Sequence, residues 1–396
     1  MGWRWPGGMK AYLELRGRLT GLPRVGRGSA QWQAALWHLA WGRPEEAETA
    51  ARLATMVETE RHDLAAGLGL LLLTLGKAAE AEEPLARAVA LCGAQAEYWF
   101  WLGEVRLGLG RAEEALPAYD QALRLRPEWP EAWVGKGRCL SRLGRTEEAL
   151  LHLEAGLAAM PRAAALWNNR GLCLIRLGRV AEGVASYRRA LALAPRRGEI
   201  WANLGVALLQ QGEAAEAYRC FVRARQLGQQ DPVLLNNTGH ALATLGRHQE
   251  ALACFRQSLA LDPDQLEVAQ NLATCLMAAG EWREASQWLR QALQKWPEAV
   301  PLLRLLGAAL EARGRHRAAL AAYNRALAIR PDDPEAVGAK AACLLRLGEY
   351  RQAYAWFLRA RALEPGNRKH LWGQAACLER MGRHTEALEV YNRSLA

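Results

Sequence analysis

Aspartate is scarce, with seven in 396 residues, and lysine is scarcer, with six against 45 arginines. None of the aspartates stands in recognisable order with a histidine and a nucleophile, so triad chemistry has no candidate. Long apolar runs are missing as well. The longest, residues 64–75, falls well short of the ~20 residues a membrane-spanning helix requires, and the N-terminus lacks the continuous apolar core of a secretory signal. Gly135-Lys136-Gly137 resembles a phosphate loop but lacks the Lys-Ser/Thr that should follow. These absences predict a cytoplasmic chain with no catalytic residue and no cofactor.

What the chain has instead is a period of 34 residues, marked by Gly42, Gly76, Gly110, Gly144, Gly178, Gly212, Gly246, Gly280, Gly314, Gly348 and Gly382. A fixed period of this size signals an array of one small unit. With the glycine at position 15, units start at Gly28, His62, Ala96, Pro130, Ala164, Gly198, Pro232, Leu266, Val300, Pro334 and Arg368, the last of them truncated. Position 8 is always small, from Ala35 through Gly171 to Ala375, and position 20 is alanine in ten units and Gly183 in the other. Position 24 is aromatic in seven, including Tyr119, Tyr187, Phe255 and Tyr323. Position 32 is proline in seven.

Small residues let two helices approach while one large residue fills the gap beside them, so each unit reads as a helical hairpin. In the fifth, helix A spans about Ala164 to Leu177 and ends at a left-handed glycine, and helix B spans about Ala181 to Leu193, before Pro195. Asp333-Pro334 supplies an N-cap followed by proline at the first helical position. Trp99, Trp133, Trp167 and Trp201, all at position 4, read as buried hairpin core.

Trp99-Phe100-Trp101-Leu102-Gly103 and Trp201-Ala202-Asn203-Leu204-Gly205, followed by the aromatic, alanine and proline columns, resemble the tetratricopeptide-repeat family over residues 28–396. The resemblance implies an all-α, right-handed superhelical solenoid of eleven hairpins, preceded by a non-repeating arm, residues 1–27, with either Met1 or Met9 as its start. It also implies a concave face lined by helix A. The five unlike residues at position 7, Lys136, Arg170, Thr238, Lys340 and Gln374, depart from the family's apolar preference.

Five of the eight cysteines, Cys139, Cys173, Cys275, Cys343 and Cys377, share position 10. Equivalent positions in neighbouring hairpins lie too far apart for a disulfide, whose Cα atoms sit ~5.5 Å apart, so these thiols read as packing. His248, His316 and His384, at position 17 of alternate units, cannot share a metal ion, and no metal site is expected. The net charge of +10 is spread along the array instead of forming one stripe with stacking aromatics, which argues against nucleic acid.

Position 6 is asparagine in four successive units, Asn169, Asn203, Asn237 and Asn271, with Asn168 and Asn236 beside two of them. A carboxamide both donates and accepts, so it pairs with a peptide group whatever the side chain. The pattern resembles the asparagine ladder in the repeat domain of O-linked N-acetylglucosamine transferases, which implies capture of an extended polypeptide. Arg138, Arg142 and Arg176 flank the ladder on one side and His240 on the other, leaning the groove toward acidic partners. The expected function is a non-catalytic protein–protein interaction scaffold. The alternative is the substrate-recruiting or regulatory arm of a larger enzyme such as a glycosyltransferase. The array stops without a polar capping helix, which suggests that the protein continues or that this end docks or oligomerises.

Overall fold

The computed structural model describes residues 29–395 together with Glu14, Leu15 and Arg18. The rest of the N-terminal arm, including Trp3, Arg4, Trp5, Met1 and Met9, lies outside the described residues, as do Gly28 and Ala396. All regular structure among the described residues is helical, without strands, and the chain divides into two compact units, residues 1–211 and 212–396. Among the described residues, no helix is long and apolar enough to cross a membrane.

In the first unit the helices pair as hairpins: Ala30–Ala40 with Pro44–Val57, His62–Thr74 with Ala78–Leu91, and Ala96–Gly108 with Ala112–Leu125. Pro130–Arg142 with Thr146–Ala159 and Ala164–Arg176 with Val180–Leu193 follow, and Gly198–Gln210 comes last. The second unit opens with Ala214–Gln226, then pairs Pro232–Thr244 with His248–Leu261, Leu266–Ala278 with Trp282–Lys295, and Val300–Ala312 with His316–Ile329. It ends with Pro334–Arg346 on Tyr350–Leu363 and Arg368–Arg380 on His384–Leu395.

The turn between paired helices is a Schellman motif. Gly178 has φ of +75°, its N–H donates to Ile175 O at 3.0 Å, and the Arg179 N–H donates to Leu174 O at 2.9 Å, satisfying carbonyls that the helix end would otherwise orphan. Helix starts are capped where the sequence offers a cap. Asp231 accepts from the Leu234 N–H and Asp333 from the Ala336 N–H, both at 2.8 Å, each followed by proline at the first helical position.

Between the helices of a hairpin, the small position-8 residue faces the large position-24 ring. A Cβ on Gly171 would lie 2.7 Å from Cε1 of Tyr187, and the ring itself is 1% exposed. Leu15 is buried against the first hairpins with Trp32 and Leu64, and the Arg18 guanidinium lies 5.5 Å from the centre of the Trp101 ring.

The structure corrects one local expectation. The four position-4 tryptophans are half-buried staples and not core: Trp99, Trp133, Trp167 and Trp201 donate their indole N–H to the carbonyls of Gly93, Pro127, Pro161 and Pro195, at 2.7–2.9 Å. A buried indole N–H ordinarily takes an acceptor, and here the turn carbonyl six residues back lies within reach. The arginine that follows the turn glycine closes a local ion pair in four repeats. Arg145, Arg179, Arg247 and Arg383 chelate Glu148, Glu182, Glu250 and Glu386 three residues on, with two N–H···O contacts of 2.5–2.7 Å each. These hydrogen bonds hold all four carboxyls below the ordinary carboxylate range.

Polar residues at position 7 find partners on the neighbouring helices: Lys136 on Asp120 at 2.7 Å, Arg170 on Glu154 and Ser186, and Gln374 on Phe357 O at 3.1 Å. The Lys340 ammonium instead lies 3.6 Å from the centre of the Trp356 ring.

Candidate functional site

The first unit brings Arg138, Arg142, Arg176 and Asn169 around one cavity of 210 Å³, whose wall also includes Ser141 and Cys173. Helix periodicity explains the grouping. Arg138 and Arg142 are one turn apart on Pro130–Arg142, and Asn169 and Arg176 lie on the same face of Ala164–Arg176, the first helix of the next hairpin.

The three guanidinium groups are held differently. Arg142 donates to the carbonyl of Leu107 at 2.6 Å, in the last turn of the preceding first helix, where the Gly110 N–H also donates to it at 3.1 Å. Arg138 reaches both oxygens of Glu104 at 3.4 Å, while the Tyr119 hydroxyl donates to the same carboxylate. Arg176 is exposed and makes no hydrogen bond or ion pair among the described residues. Burial, with the adjacent Glu104 charge, raises the Tyr119 phenol above its ordinary value, so it remains a donor.

A second cavity of 480 Å³ shares Arg138 and Asn169 with the first and adds Asn168, Arg197 and the carboxylates Glu104, Glu131 and Glu199. The first unit thus presents a continuous polar trough, cationic at the Arg176 end and mixed in charge at the Glu104 end.

The carboxamides are pre-arranged in a way the spacing does not reveal. Asn203 Nδ2 donates to Asn168 Oδ1 at 3.0 Å, and Asn168 is only 5% exposed. Asn169 Nδ2 donates to Ala165 O of its own helix at 2.8 Å, which leaves its carbonyl oxygen and second N–H uncommitted at the wall of the cavity. In the second unit the same clasp recurs: Asn271 Nδ2 donates to Asn236 Oδ1 at 3.0 Å, with Asn237 half-buried and His240 exposed on the same helix as Asn236. Each clasp joins position 6 of one repeat to position 5 of the repeat before it. It orients the two side chains while each retains donor or acceptor capacity.

Ser141 and Glu104 were not singled out by sequence reasoning, and Cys173 was read there only as packing. The signal for Glu104 was present, since it lies 34 residues before Arg138 and so occupies the same register one hairpin earlier. Burial raises the Cys173 thiol above its ordinary value, making it a neutral wall of the cavity and not a nucleophile.

Three family matches tile most of the chain. The family described as the C-terminal domain of cilia and flagella-associated protein 70, a tetratricopeptide-repeat domain, matches residues 92–300, more than half of the chain. The family of anaphase-promoting complex, cyclosome, subunit 3 matches residues 312–394, and a tetratricopeptide-repeat family matches residues 271–334. Comparison with curated proteins gives no match. Among solved structures, a tetratricopeptide-repeat protein from Parabacteroides merdae aligns at 16% identity and a TM-score of 0.51, over 67% of this chain and 99% of that one. Yeast Tom70 aligns at 14% identity and 0.48, over 92% and 91%. YrrB, described as having an unusual peptide-binding site, aligns at 20% identity and 0.42, over 48% and 97%. At these identities the structural likeness bears on the fold alone, and the family follows from the sequence matches together with the repeated hairpins: the chain belongs to the tetratricopeptide-repeat family.

Proposed function

We propose that this protein is a non-catalytic interaction scaffold whose first unit holds an extended polypeptide segment in the trough of its first helices, with an acidic side chain of the partner at Arg138, Arg142 and Arg176. The observation that carries this reading is the convergence of those three guanidinium groups with Asn169 on one 210 Å³ cavity. Isolated surface arginines are ordinarily solvated and idle. Three around one concavity raise the local cation density and favour a carboxylate that forms charge-assisted hydrogen bonds to planar donors.

Along the trough, Asn169 and Asn203 supply groups that recognise a peptide backbone, with Asn168 holding Asn203 in place. First helices lie ~10 Å apart and an extended chain advances ~3.3 Å per residue, so successive repeats meet about every third residue of the partner. In the second unit Asn236, Asn237, Asn271 and His240 form a similar but less cationic surface, which extends the same recognition to a polar segment.

Selection of a random peptide-display library against the whole chain tests the reading. Recovered peptides are expected to be enriched in Asp and Glu, and the tightest of them to lose at least about tenfold in affinity with Arg142→Glu/Arg176→Glu, which corresponds to ~1.4 kcal/mol. Asn203→Ala is expected to weaken the same peptide without altering its acidic preference. Peptides without acidic bias, or affinities unmoved by the charge reversal, sink the assignment.

A further inference from the structure

Outside the trough, one cluster of unlike ligating groups stands in the second unit. Glu311, His316 and Cys343 place a carboxylate oxygen, an imidazole nitrogen and a sulfur within 4.8 Å of one another. Glu311 is in the last turn of Val300–Ala312, and His316 is the first residue of His316–Ile329 across the glycine turn. Cys343 comes from Pro334–Arg346 of the next repeat. We infer that these three side chains form a zinc-class divalent cation site that ties the repeat beginning at Val300 to the one beginning at Pro334.

Several observations point there together. The Tyr323 hydroxyl, on a ring 1% exposed, donates to Glu311 Oε2 at 2.8 Å. That contact fixes the carboxylate by one oxygen and leaves the other, Oε1, buried with no partner among the described residues. His316 Nδ1 is also buried with no partner. Two buried polar atoms, each able to offer a lone pair and both unsatisfied, on side chains beside the same sulfur, carry a desolvation cost that a shared cation would offset. A tyrosine orienting a carboxylate from behind is the outer-shell support that metal ligands ordinarily have.

The donor set also selects the ion. Sulfur, nitrogen and oxygen ligands together suit a borderline-soft cation with tetrahedral preference, and zinc bonds of ~2.0–2.3 Å put ligand atoms about 3.3–3.8 Å apart. With all three atoms within 4.8 Å of one another, the observed spacing is at most about 1 Å wider than that range. Thiolate and carboxylate together balance the dication. Glu311 and His316 are half-buried, which leaves an entry path and a fourth position for water.

The chain contains its own comparison. Between the repeats beginning at Pro232 and Leu266, Cys275 Sγ lies 3.5 Å from His248 O, as Cys343 Sγ lies 3.2 Å from His316 O. His248 Nδ1 is likewise buried and without a partner. The position matching Glu311 is Ala243, so the histidine–cysteine juxtaposition is architectural and the carboxylate is what completes a third ligand. Ligation by Cys343 displaces the thiol proton, so cation uptake weakens as pH falls. No spacing motif reveals this site, because its ligands lie five residues apart across a turn and then one repeat away.

Titration of the untagged, metal-free chain with Co²⁺, followed by absorption, tests the inference. One equivalent is expected to produce tetrahedral bands together with a thiolate charge-transfer band, both displaced by Zn²⁺. Cys343→Ala is expected to abolish the charge-transfer band and Cys275→Ala to leave it intact. Glu311→Gln, which keeps size and fold, is expected to lower affinity at least about tenfold. Tyr323→Phe is expected to lower it by about 10–100-fold, as loss of outer-shell support does. Absence of the band in the wild type, its survival in Cys343→Ala, or unchanged affinity in Glu311→Gln each overturns the assignment. The glutamine variant decides the matter even if the alanine variant fails to fold.

Discussion

Gly171→Leu is expected to destabilise the first unit by about 1–3 kcal/mol or more in urea denaturation, through overpacking. The cause is specific. A Cβ alone at position 171 would sit 2.7 Å from Tyr187 Cε1 and 2.9 Å from two further ring atoms, before the rest of the leucine is added. The ring cannot retreat, because Tyr187 is 1% exposed within its hairpin. Removing the ring instead, with Tyr187→Ala, leaves a cavity and costs about 3–5 kcal/mol on the scale of large aromatic truncations. Combining the two is expected to cost less than the sum, because leucine partly fills the space the ring vacates. That non-additivity, of about 0.5–3 kcal/mol for residues in contact, separates a steric clash from a loss of helix propensity. As a control, Leu151→Ala at a side chain 66% exposed is expected to stay within ~0.5 kcal/mol of wild type. Strict additivity of Gly171→Leu and Tyr187→Ala would count against the packing account.

The same pair shows why the fold was legible in the sequence. Gly171 and Tyr187 belong to columns that repeat along the chain, and a column records a contact that every hairpin must make. Gly178 is legible for a related reason: its φ of +75° is closed to most residues, so the turn imposes glycine. Trp167 was misread because burial and a satisfied indole N–H compete, and only the placement of Pro161 O shows that the N–H wins.

The candidate trough was legible only in part. Repetition brought Asn169 and Asn203 forward as equivalent residues, but the Asn203–Asn168 clasp depends on side-chain torsions that spacing does not encode. Arg138, Arg142 and Arg176 look alike in sequence. The structure distinguishes them by what lies opposite each, a carboxylate, a helix-end carbonyl and an open cavity. Cys343 and His316 belong to repeated columns, whereas Glu311 departs from a mostly apolar one, and such a departure is what a period-based reading averages away.

Lowering the pH from about 6.5 to 4 is expected to remove up to about 3 kcal/mol of stability from the first unit through one residue, His152. Its ring stacks on Trp133 with centroids 4.4 Å apart and planes 22° from parallel, and its Nε2 lies 3.2 Å from Trp133 O. The imidazole is thus neutral, with the proton on Nε2 donated to that carbonyl. Burial first, and then the Lys136 charge, lower its pKa from 6.5 to about 4, against smaller opposing effects of the Trp133 carbonyl and Asp120. Between those two values the unfolded chain binds a proton that the folded chain refuses. The stabilisation is therefore complete above the unfolded pKa and is lost as pH falls toward the folded one. His152→Phe keeps a flat ring against Trp133 and removes the titration, so its stability is expected to vary much less than the wild type's across this window. The paired carboxylates Glu148 and Glu182 titrate below the ordinary carboxylate range and act mainly at more acidic pH. Denaturant midpoints measured for both proteins at several pH values decide the matter, and equal losses in the two would mean that some other group senses the proton.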